Sequence, residues 1–109
     1  MESFRALRTS DLPAGTMKKV TRNGKTILIA NLNGTFCALN GQCPHLGGSL
    51  AEGMLENGVV ICPRHGAQFD LRTGAAVGKA KMGPLRIMPK NAETYEVEIE
   101  AETVVVRLP

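Results

Sequence analysis

Four of the five cysteines and histidines in this 109-residue chain fall in two short, similar stretches. Cys43-Pro44-His45 is followed by Leu46-Gly47-Gly48, and Cys62-Pro63-Arg64-His65 by Gly66. Sixteen residues, Leu46 to Ile61, separate the two pairs. That is enough for a turn, one strand at Gly58–Cys62 and a return, so the two loops can meet across one site. Two thiolates and two imidazoles would fill the coordination sphere of a tetrahedral zinc. Familiar zinc patterns, however, put Cys with Cys and His with His along the chain. Each loop here offers one of each, which suits a two-centre site in which both loops give a sulfur to one metal and a nitrogen to the other. Cys37, within Thr35-Phe36-Cys37-Ala38-Leu39, reads instead as a small buried apolar residue. Gly47, Gly48, Gly66 and Gly74 serve either as turn residues or to let backbone N–H groups approach a sulfur.

Short β-type runs separated by turn signals must position these loops, which makes the fold class all-β. Asn23-Gly24 lies between "TMKKV" and "KTILIANL", and Asn33-Gly34 between "TILIANL" and "TFCAL". Both steps tolerate positive φ and predict tight hairpins. Asn40-Gly41 ends the third strand of this meander. "TILIA" and "TFCAL" are apolar on both faces, as in strands covered on two sides. Near the C-terminus, "TYEVEIE" alternates, with Tyr95, Val97 and Ile99 on one face and three glutamates on the other. A turn at Ala101 and Glu102 leads into "TVVVRL". The span from Gly41 to about Pro89 is rich in Gly and Pro and poor in periodicity, with Glu56-Asn57-Gly58 as a turn. It reads as a functional insertion in a single domain covering residues 1–109.

Net charge is +3, from 13 basic and 10 acidic residues, and the chain has one Tyr, three Phe and no Trp. Clustered cations with stacking aromatics, the mark of a nucleic-acid surface, are not found. A basic run does occur at Lys79, Lys81, Arg86 and Lys90, where it is either a solvated loop or a steering surface for an acidic partner. Neither a signal-peptide core nor a run of about 18 apolar residues is present. With no disulfide framework expected, the reading is a soluble protein in the reducing cytoplasm, without a membrane partner.

The combination C-x-H, sixteen residues, C-x-x-H, with "GG" after the first pair and "HGAQFDLRTG" after the second, closely resembles the Rieske 2Fe-2S proteins. The resemblance implies a Rieske-type antiparallel β-sandwich with an inserted cluster-binding loop subdomain at about 41–89, and one 2Fe-2S cluster per chain. Cys43 and Cys62 would bind one iron, and His45 and His65 the other. Replacing two thiolates by neutral imidazoles takes the oxidised cluster from a formal charge of −2 to 0, which eases reduction. Respiratory relatives carry an extra cysteine in each loop, where this chain has Gly48 and Arg64. Rieske oxygenases need a second iron site, but both histidines are already used. Nor is there a G-x-G-x-x-G unit for a nicotinamide or flavin. What remains is a soluble ferredoxin without catalytic residues of its own. Its electron donor would be a flavin-containing reductase, and its acceptor a terminal enzyme such as a ring-hydroxylating oxygenase. The alternatives are a Rieske-type small subunit of a larger reductase complex and a structural zinc-binding module. High-potential relatives place Ser directly after the "HG" and Tyr two residues later. Ala67 and Phe69 stand there instead, which implies a low potential.

Overall fold

The computed structural model describes residues 2–42, 49–63, 66–78, 80–82 and 84–108. After an N-terminal strand, β1 (Glu2–Arg8), the Asn-Gly steps fold the chain into the meander that their tolerance of positive φ predicts. Asn23-Gly24 (φ 52° and 76°) joins β2 (Met17–Arg22) to β3 (Lys25–Leu32), and Asn33-Gly34 (φ 55° and 95°) joins β3 to β4 (Thr35–Asn40). The register is unbroken from Met17↔Ala30 to Arg22↔Lys25 and from Ile27↔Asn40 to Leu32↔Thr35.

The insertion is more ordered than its composition suggests. It carries four very short strands, β5 (Met54–Glu56), β6 (Val59–Ile61), β7 (Gln68–Asp70) and β8 (Ala76–Gly78), which form one antiparallel sheet in that order. A hairpin of β9 (Ala80–Met82) and β10 (Leu85–Ile87) follows. β6 is the strand expected at Gly58–Cys62; the other three-residue strands are too short to show a period of two, so the sequence reads them as loop.

The C-terminal hairpin joins β11 (Thr94–Glu100) to β12 (Thr103–Leu108) through Ala101 and Glu102, both left-handed at φ 46° and 67°. The large sheet runs β1-β12-β11-β4-β3-β2. Within it β11 turns a corner, because only Thr94 and Tyr95 pair with β4 while Glu96 to Glu100 pair with β12. Beyond Tyr95 no strand pairs with that edge of β11 among the described residues, and Ile99, on the same face as Tyr95 and Val97, is 51% exposed. β1, in turn, escapes the sequence pattern because a register shift between Arg5 and Leu7 interrupts its alternation.

Three layers result, with one core between each adjacent pair. Ile27 and Ile29 of β3 pack with Tyr95, Val104 and Val106, whereas Leu28 and Ala30 share a core with Val60 and Phe69 of the small sheet and with Leu71 just after it. A strand covered on both sides must be apolar on both sides, and β3 is. At the far edges of the bent sheet, Asn23 Nδ2 donates to Glu2 Oε1 at 2.7 Å and the Arg22 guanidinium lies 5.2 Å from the Phe4 ring centroid. This is the antiparallel sandwich with an inserted subdomain that the sequence implies.

Candidate metal centre

The hairpin of β6 and β7 carries the second Cys/His pair. Ile61 pairs with Gln68, and one step beyond, the Cys62 N–H donates to the Ala67 carbonyl at 2.8 Å. The Cys62 carbonyl accepts the Gly66 N–H at 3.2 Å. Gly66 sits at φ 75°, a left-handed turn position that costs glycine little. Backbone bonds therefore fix both ends of the loop from Cys62 to Ala67. Cys62 is 2% exposed, in the core that also holds Leu50, Ala67 and Phe69. Arg64 and His65 lie outside the described residues.

The first loop is tied down in a similar way. The Gly41 N–H donates to the Thr26 carbonyl at 2.8 Å, and the Leu50 N–H to the Gly41 carbonyl at 2.9 Å. Gln42 and Ser49 form an isolated antiparallel bridge across the segment between them. That segment, residues 43–48, contains Cys43, His45, Gly47 and Gly48 and lies outside the described residues. Its exit is anchored next to the second loop. Leu50 is fully buried in the core shared with Cys62, and Gly53 lies so close to Ile61 that a Cβ there would run into the Ile61 carbonyl oxygen.

Of the expected ligands, then, Cys62 is described, and no group of three metal-binding side chains forms among the described residues. The described part fits a metal-sulfur group. Cys62 sets a sulfur, screened from water, at the head of a hairpin held by backbone bonds, which is the placement a metal-binding cysteine requires. Ser49, which sequence reading passes over, adds a hydroxyl donor. Its Oγ is buried and has no hydrogen-bond partner among the described residues.

Cys37 behaves differently. It is half-buried in β4, and burial pushes its thiol pKa up, with Arg72 drawing it down and Asp70 pushing it up again. It packs against the core as a neutral side chain. Gly74 is a turn and packing residue: at φ 77°, it would drive any Cβ into the Ala92 carbonyl oxygen. In the basic run, Lys81 and Arg86 occupy opposed register positions of the β9–β10 hairpin, while Lys79 lies outside the described residues. A cleft of about 510 Å³, lined by Asn33, Asn57, Asp70 and Arg72 among others, opens at the Val59↔Asp70 end of the small sheet, away from Cys62.

The model of the Rieske [2Fe-2S] domain family matches residues 2–106. The ferredoxin component of biphenyl 2,3-dioxygenase from Rhodococcus jostii (strain RHA1) is 36% identical over 100 residues, covering 92% of this chain and 87% of its own length. Apoptosis-inducing factor 3 from Homo sapiens is 37% identical over 97 residues, 89% of this chain, but the match spans only 15% of that longer protein. Among solved structures, a chain from the complex of reduced oxygenase and oxidised ferredoxin in carbazole 1,9a-dioxygenase superposes with a TM-score of 0.83. It is 28% identical, with 98% of this chain and 97% of that chain covered. No helix among the described residues is long and apolar enough to cross a membrane.

Proposed function

The chain belongs to the Rieske [2Fe-2S] domain family, and from that premise we propose that it is a one-electron carrier serving a ring-hydroxylating oxygenase. In this reading residues 1–109 are one domain whose insertion, about 41–89, holds one cluster. Cys43 and Cys62 ligate one iron, and His45 and His65 the other. When bound, the cluster supplies a reversible one-electron couple.

The chain's own residues supply the rest. The backbone bonds between Cys62 and Ala67 and between Gly41 and Leu50 fix the ends of the two loops. Leu50, Ala67 and Phe69 keep water from the Cys62 sulfur. A flavin-containing reductase in the cytoplasm donates the electron, and a terminal oxygenase accepts it.

The observation that carries this reading is the combination of the family match over residues 2–106 with a relative of nearly the same length that is a ferredoxin component. Stopped-flow mixing tests it. Protein reduced by a flavin reductase and nicotinamide should be reoxidised by a Rieske-type terminal oxygenase faster than by oxygen alone. Reduced protein that holds its electron in the presence of such oxygenases would overturn the reading.

A further inference from the structure

We propose that Ser49 donates its hydroxyl hydrogen bond to a sulfur of the cluster held between the two loops, and is a positioning residue that raises the cluster's potential. The inference rests on the electron-carrier reading above.

Two observations carry it. Ser49 precedes the 3-10 turn Leu50–Glu52, the position where a serine ordinarily turns its oxygen onto the first backbone N–H groups. Here it makes no such capping bond. Instead its Oγ is buried without a hydrogen-bond partner among the described residues. Leaving a buried donor unmet is costly and rare in folded proteins, so an acceptor beyond the described polypeptide groups is the economical account.

Its position says which acceptor. The bridge to Gln42 sets Ser49 beside the residue that immediately precedes Cys43. The next residue, Leu50, lies in the core that contains Cys62 and Ala67, and Gly53 abuts the carbonyl just before Cys62. Ser49 thus lies where the closed end of the first loop meets the start of the second. Thiolate and sulfide sulfurs are the acceptors a cluster brings to that place. A donor aimed at sulfur stabilises the reduced form more, because that form carries the additional negative charge, so the bond raises the potential.

The test compares wild type, Ser49→Ala and Ser49→Thr by iron and sulfide content, voltammetry and pulsed EPR after exchange into deuterated water. With the cluster intact, Ser49→Ala should lower the potential. At fixed applied potential its reduced-to-oxidised ratio should fall several-fold, where tenfold corresponds to about 59 mV for one electron. It should also lose one exchangeable deuteron coupled to the cluster, and Ser49→Thr should keep both properties. An alanine variant with full cluster and an unchanged potential would overturn the inference. If the alanine variant takes up no cluster, the threonine variant decides: wild-type loading and potential uphold the hydroxyl's role, and a similar failure overturns it. Wild-type protein without iron and sulfide would instead sink the electron-carrier reading itself.

Discussion

Replacing Ala67 by Ser and Phe69 by Tyr should raise the midpoint potential from a low starting value. Both residues are fully buried in the core that contains Cys62, and Ala67 accepts the Cys62 N–H through its carbonyl. A hydroxyl added at either place has two possible fates. If it reaches a sulfur, it favours the reduced state by about 1 kcal/mol, or about 40 mV for a one-electron couple, so the double variant should gain about 80 mV. If it reaches nothing, it is a buried unmet donor that costs about 1–3 kcal/mol of stability and leaves the potential alone. Each lost kcal/mol would lower the melting temperature by about 4–8 °C in a domain of this size. Voltammetry and thermal unfolding on the same samples therefore separate the two. The wild type should lie near the lower end of the range of about −150 to +300 mV open to such centres. A wild-type midpoint well above zero, or a double variant that keeps its cluster yet does not shift upward, would refute the reasoning.

Gly53→Ala should cost about 1–3 kcal/mol and reduce iron content, since its Cβ must displace the Ile61 carbonyl next to Cys62; thermal unfolding and metal analysis would read both. Ala101→Asn with Glu102→Gly should stabilise the final hairpin by on the order of 1 kcal/mol, because two left-handed residues acquire types that accept positive φ. A higher melting temperature with an unaltered potential is the expected result. Tyr95 has its pKa pushed up to about 12, first by burial and then by the bond its hydroxyl donates to Glu93 Oε1 at 3.1 Å. The folded state thus keeps a proton that the unfolded chain releases near pH 10, so this contribution to stability is complete below about pH 10 and is lost between about pH 10 and 12. Denaturant midpoints measured across that window should decline, and less so in Tyr95→Phe.

Sequence made some elements legible and hid others for definite reasons. The Asn-Gly steps at 23–24, 33–34 and 57–58 announce their hairpins because few other residue pairs accept two positive φ values. The two-faced apolar run of β3 announces a strand between two cores. β6 is legible as the apolar run after Asn57-Gly58, whereas β5 and β7 to β10 are hidden because three residues show no period, and β1 because its register shifts within the strand. The spacing of Cys43, His45, Cys62 and His65 named the candidate ligands without any structure, since chemistry of that kind is written in residue type. Ser49 could not be found that way. A serine before a turn is ordinary in sequence, and only its buried, uncapped hydroxyl sets it apart.

The central claim is a cluster ligated by two cysteines on one iron and two histidines on the other. Pulsed EPR of the reduced protein, read together with iron and sulfide content, addresses it most directly. The account predicts two irons and two sulfides per chain, two imidazole nitrogens coupled to the cluster, and loss of that spectrum in His45→Ala and His65→Ala. A colourless protein with one zinc per chain, or a cluster spectrum with no nitrogen coupling that survives both histidine substitutions, would contradict it.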